Sequence, residues 1–200
     1  MKAADFDLSR DLKFNPQTGV TSFKDSRLII LDANAMGLLR QKLVDLLGVE
    51  KARELFLQFG YQNGYSDFMQ VKLAYQFDSE MDLLAAGPVM HTWEGIVHAV
   101  PKEARVDRKK GEFFFPCAWK NSYEAEQHLC FNKPSHQPVC WTLMGYASGW
   151  CTAFMGKPIL AIESMCAGKG DAHCEVMIQP ESAWSKEAAP YVAAYNRLKN

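Results

Sequence analysis

Three of the six cysteines stand late in the chain in a fixed relation. Cys140 precedes Cys166 by 26 residues, and Cys166 and Cys174 bracket a glycine-containing loop as Cys-x7-Cys. Glu163 lies three residues before Cys166, at the end of a predicted strand. Thiolates and a carboxylate form a ligand set for zinc, and a chain that gathers them must bring both ends of this stretch together. The spacing is not a standard zinc pattern, and free cysteine is also among the most buried residue types. A plain core role therefore competes with a metal, and Asp171 and His173 compete as ligands on spacing alone. Cys117, Cys130 and Cys151 read as small core residues.

Disulfides are a poor account of these thiols. Met1 to Lys13 is a charged mixture without the apolar core of a signal peptide. No stretch approaches the roughly 18 consecutive apolar residues of a membrane helix. The expected compartment is the cytoplasm, where thiols stay reduced. With 22 Lys+Arg against 23 Asp+Glu, the net charge of −1 gives no dense positive field for gripping nucleic acid. An apolar share of 48% over 200 residues suits one globular domain.

Periodicity sketches an α+β fold, with helices early and an antiparallel sheet in the second half. Asn15-Pro16-Gln17-Thr18-Gly19 is a turn, and Val20–Phe23 and Leu28–Leu31 are short β-prone runs. Asp32 or Asn34 can cap a helix carrying Met36, Leu38, Leu39, Leu43, Leu46 and Leu47. A second helix starts at Val49 or Glu50 and runs through Gly60 and Gly64, which cost about 1 kcal/mol each relative to alanine. A third covers Ser79 to Ala86 and stops before Gly87-Pro88. Gly95–Val106 and Glu112–Trp119 read as a hairpin about Arg108-Lys109-Lys110-Gly111. Helices follow at Tyr123–Cys130 and Val139–Met155, the latter rich in small residues that suit close packing. Pro158–Glu163 and Cys174–Ile178 read as strands, and Ser185–Asn200 is helical in composition.

The run Pro138-Val139-Cys140-Trp141-Thr142-Leu143-Met144-Gly145-Tyr146-Ala147-Ser148-Gly149, followed by Glu163-Ser164-Met165-Cys166 and Gly170-Asp171-Ala172-His173-Cys174, resembles a known sensor domain. Leu47-Gly48-Val49-Glu50-Lys51-Ala52-Arg53, Phe59-Gly60-Tyr61-Gln62-Asn63-Gly64 and Leu84-Ala85-Ala86-Gly87-Pro88 agree with it in order. The domain is that of the phenol- and xylene-responsive XylR/DmpR group of NtrC-class, sigma-54-dependent transcription activators, within the 4-vinyl reductase superfamily.

The resemblance implies a structural zinc held by Cys140, Glu163, Cys166 and Cys174, its excess negative charge offset by N–H groups of the Gly168–Gly170 loop. It implies that His91 and Trp119 hold the hydroxyl of a phenol, with Trp93, Ile96, Phe115, Cys117 and Trp150 as candidates for the pocket wall. Phenol has seven heavy atoms, so a ceiling of about −1.5 kcal/mol per atom leaves room for micromolar binding only in a nearly ideal pocket. It also implies a homodimer through residues 1–47, a sensor at 48–184, and a linker from 185–200 toward ATPase and DNA-binding domains that this chain lacks. The competing reading is a zinc-containing enzyme, related to 4-vinyl reductases, acting on a small aromatic compound.

Overall fold

In the computed structural model, which describes residues 1–197, the chain is an α+β domain. Three short strands open it: β1 (Leu12–Asn15), β2 (Val20–Phe23) and β3 (Ser26–Leu28), paired antiparallel in that order. β1 has no counterpart among the β-prone runs of the sequence. The expected run Leu28–Leu31 ends at Leu28, because β2 has only Val20 left before its turn. Ile29, Ile30 and Leu31 consequently stand exposed.

Three helices follow. In α1 (Ala33–Leu47) the Asp32 carboxylate accepts the Ala35 N–H at 3.0 Å, and Gly48 ends the helix at φ 80°. α2 (Val49–Ala74) runs unbroken through Gly60 and Gly64. α3 (Glu80–Trp93) is capped by Ser79 and runs seven residues past the expected stop at Ala86. Pro88 cannot donate to the Leu84 carbonyl. The Trp150 indole N–H takes that carbonyl instead, at 3.2 Å, so the break in the ladder leaves it paired.

The sheet has the order β4 (His98–Pro101), β7 (Cys117–Lys120), β9 (Cys174–Pro180), β8 (Ile159–Met165), all antiparallel. A small hairpin, β5 (Arg105–Asp107) with β6 (Glu112–Phe114), extends the β4–β7 pair through the expected turn. Ala99, Trp119 and Cys174 lie in one row across three strands. Residues paired in this way share a sheet face.

α4 (Tyr123–Phe131) and α5 (Trp141–Met155) complete the core. α5 begins two residues after Val139, since Cys140 has non-helical angles and both residues' N–H groups point at the cysteine cluster. α2 and α5 meet backbone to backbone. A Cβ on Gly60 would fall 2.1 Å from the Thr142 carbonyl oxygen, and one on Gly145 2.2 Å from that of Leu57. No alanine fits these positions without parting the helices. The small residues of α5 thus have the close-packing role their composition implied.

The tail forms α6 (Ala189–Asn196), which packs on α2 with Tyr191, Ala194 and Tyr195 buried. The Tyr195 hydroxyl lies 2.8 Å from Ser148 Oγ. The last three residues of the expected helical tail lie outside the described residues. Among those described, no helix is long and apolar enough to cross a membrane.

Candidate functional site

The N-terminus of α5 and the loop between β8 and β9 bring four side chains together. One ligand atom from each of Cys140, Glu163, Cys166 and Cys174 lies within 4.8 Å of all the others, and all four residues are buried. Cys140 Sγ is 3.9 Å from Cys166 Sγ and 3.8 Å from Cys174 Sγ. Those separations are far too long for a disulfide. They match the edge of about 3.8 Å that a tetrahedron with metal–sulfur bonds of about 2.3 Å requires. The local fold explains the convergence. A bulge between Glu163 and Met165 re-aims the end of β8, and a tight turn over Ala167–Lys169 closes at Gly170 with φ 94°. Asp171 does not join the cluster; its carboxylate accepts the Cys166 N–H at 2.7 Å and orients the turn. His173 faces outward, 3.6 Å from Glu175.

The cluster fits a divalent cation in charge as well as shape. Hydrogen bonds from the Cys140 and Cys174 thiols pull the Cys166 thiol down to about 2. Burial holds Cys140 and Glu163 well above their ordinary values. Glu163 Oε1 is buried with no hydrogen-bond partner among the described residues. A metal would replace the remaining protons and give that oxygen a partner. Backbone donors already face the sulfurs: Val139 N–H to Cys166 Sγ at 3.4 Å and Ala167 N–H to Cys174 Sγ at 3.2 Å. Of the expected Gly168–Gly170 stretch, the Gly168 N–H also serves Cys166; Val139 and Ala167 lie outside it.

Two buried polar side chains brace this end of α5, and neither stands out in the sequence. Glu124 on α4 accepts the N–H groups of Thr142 and Leu143, both at 3.1 Å, and so caps α5 with a carboxyl whose pKa is raised by burial. Arg40 on α1 lies 3.9 Å over the Trp141 ring and donates to the Val139 carbonyl at 3.1 Å. Val139 therefore links α1 to Cys166 through its own peptide groups. The signal for both residues is an isolated charge within apolar helical spacing, which sequence alone does not distinguish from a solvated one.

Further along α5, on the same side of the sheet, lies an apolar cavity. Its walls are His91 and Gly87–Pro88 from α3, Ala99 and Trp119 from the sheet, and Tyr146 and Trp150 from α5, closed by Phe115, Cys117, Cys151 and Ile178. His91 is 3% exposed, with its ring centroid 3.9 Å from that of Tyr146 and 6.5 Å from that of Trp119. Burial alone pushes its pKa down to about 3, so the ring is neutral at pH 7. Its Nε2 is buried without a hydrogen-bond partner among the described residues. An unsatisfied buried nitrogen costs free energy, and a ligand hydroxyl would recover it. The cavity is narrow, about 30 Å³. A six-membered ring needs its aromatic walls to part.

Of the expected wall residues, Phe115, Cys117 and Trp150 line the cavity. Ile96 does not, and Trp93 lies on an outer groove, 45% exposed. Gly87, Ala99, Tyr146 and Cys151 join the lining without any sequence signal. Cys117 and Cys151 are buried as expected, whereas Cys130 is exposed in the last turn of α4, where the helix leaves the core.

An apolar cavity walled mostly by buried residues, with an unpaired imidazole nitrogen and a separate thiolate cluster beside it, is the architecture of a small-molecule-binding domain. The chain belongs to the family described as activator of aromatic catabolism, whose model matches residues 7–107; a model of the 4-vinyl reductase domain matches residues 119–180. It is 34% identical to the phenol regulator MopR of Acinetobacter guillouiae over 89% of this chain. It is 29% identical to the transcriptional regulatory protein XylR of Pseudomonas putida, again over 89% of this chain. It covers 32% and 31% of those two proteins, so it spans about a third of the length of the curated relatives it matches. The crystal structure of the phenol-responsive sensory domain of the transcription activator PoxR with phenol superposes with a TM-score of 0.88 at 34% identity. That match covers 96% of this chain and 94% of the other.

Proposed function

We propose that this domain is the cytoplasmic sensor of a transcription activator and binds phenol or a simple substituted phenol between His91 and Trp119. The observation that carries the reading is the unpaired, neutral His91 Nε2 in a wall of aromatic rings. A phenol hydroxyl can donate to that nitrogen while accepting from the Trp119 indole N–H. Cys140, Glu163, Cys166 and Cys174 would hold a zinc ion, whose contribution is structural: four protein ligands leave no position for a reacting water. The domain acts by binding and not by turnover. Ligand stabilises the arrangement in which the cavity closes on it, and so shifts a population. In the full-length protein that shift relieves repression of an ATPase domain coupled to a DNA-binding domain. The exposed apolar residues of the N-terminal part, among them Ile30 at 78% and Leu46 at 78%, support a homodimer through residues 1–47. Residues 48–184 are then the sensor proper, and 185–200 begin the linker.

Calorimetric titration with phenol and with benzene tests the reading. Phenol is expected to bind at micromolar levels and to be recovered unchanged. Benzene, which leaves His91 and Trp119 unpaired, should bind about 10- to 100-fold more weakly. Equal affinities, or no heat with phenol, would refute it.

A further inference from the structure

We propose that the aromatic ligand enters and leaves through the seam between α3 and the edge strand β4, at Pro88 and Ala99, and that the Thr92 side chain latches this seam. The proposal rests on the ligand-binding reading above. Every residue lining the inner cavity is buried except Pro88 and Ala147, which are half-buried. Pro88 and Ala99 also line an open groove on the outer surface, together with Ala85, Thr92 and Trp93. Two small residues are thus all that separates the cavity from solvent on this side.

The seam is weakly bonded. β4 pairs only with β7 among the described residues, so its other edge carries no ladder. Across it, the Ala99 N–H donates to Thr92 Oγ1 at 3.3 Å; within α3, the Thr92 hydroxyl donates to the Pro88 carbonyl at 2.9 Å. Pro88 has no N–H, and the Leu84 carbonyl beneath it is taken by Trp150. The second half of α3, which carries both His91 and Thr92, can therefore swing at Gly87–Pro88 without breaking a helical bond to Leu84. The cavity is too narrow for a ring without some such movement. A ligand bonded to His91 would then hold the moving half in place.

Stopped-flow tryptophan fluorescence reads the exchange, since Trp119 and Trp150 stand in the cavity wall. Thr92→Val keeps the shape and removes both hydrogen bonds; Thr92 is exposed, so the fold should hold. It is expected to raise the association and dissociation rates of phenol together, by about fivefold, the equivalent of one net hydrogen bond. Affinity should stay within about twofold, as a change confined to the barrier requires. Ala85→Phe narrows the outer groove without touching the cavity and should lower both rates. Wild-type rates in both variants would overturn the proposal. So would a Thr92→Val effect confined to dissociation, which would make Thr92 a wall residue. A wild-type domain that binds no phenol would overturn the proposed function instead, and the route with it.

Discussion

The N-terminus and the middle of α5 are built on opposite principles. Its N-terminus closes around Cys140, Glu163, Cys166 and Cys174, whose ligand atoms crowd within 4.8 Å and are supplied with backbone donors. Its middle faces a cavity where rings dominate and one imidazole nitrogen goes unpaired. The first would be complete once a cation arrives, since four protein groups fill a tetrahedron. The second stores an unmet hydrogen bond and a narrow space, so it responds to what enters. On this account stability belongs to the N-terminus of the helix and responsiveness to its middle. The shared row Ala99–Trp119–Cys174 keeps the two in register.

The sharpest way to break this contrast is to deny the cluster a metal. Cys174→Ser, or a strong chelator, is expected to cost the second half of the domain its fold, because structural zinc contributes about 10–16 kcal/mol of apparent folding free energy. Metal analysis and circular dichroism on the same sample check this; the intact domain should carry one zinc per chain. A metal-free protein with full helicity would make the cluster ordinary core and erase the contrast.

A smaller effect belongs to the cavity alone. The buried His91 ring holds a pKa of about 3, whereas an unfolded histidine titrates near 6.5. Its depressed value means that stability is fully present above pH 6.5 and is lost as pH falls toward 3, because the unfolded chain takes up a proton that the folded one refuses. Within that window His91 contributes a loss of about 1.4 kcal/mol per pH unit. Denaturant melts of the wild type and His91→Phe at about pH 7 and about pH 5.5, both above the folded value and spanning the unfolded one, isolate it. The wild type should lose more stability than the variant between the two. Parallel losses would mean that the ring finds water or a partner inside the fold.

The two regions also differ in how legible they are in the sequence. The cluster announces itself by residue type, although spacing alone leaves a core role and two other ligands open, and the family resemblance selects the four residues. His91 and Trp119 are picked out only by that resemblance, since an isolated histidine and tryptophan look like core. Most cavity walls are invisible for a physical reason: Ala99 and Tyr146 reach the cavity through strand register and helix crossing, which no local pattern encodes. Pro88 misleads in the same way. Its missing hydrogen bond is made good by Trp150, a partner far along the chain, so a sound local rule places the end of α3 too early. The helix run through Gly60 and Gly64 goes the other way: a weak local penalty is smaller than the packing it permits.

The central claim is that His91 anchors a phenol hydroxyl and that the metal cluster and the fold hold without it. Calorimetric titration of phenol into His91→Ala, with zinc content and melting temperature measured on the same preparation, tests it most directly. One zinc per chain, a retained cooperative melt and no detectable phenol binding is the predicted result. Phenol binding at wild-type affinity would contradict it.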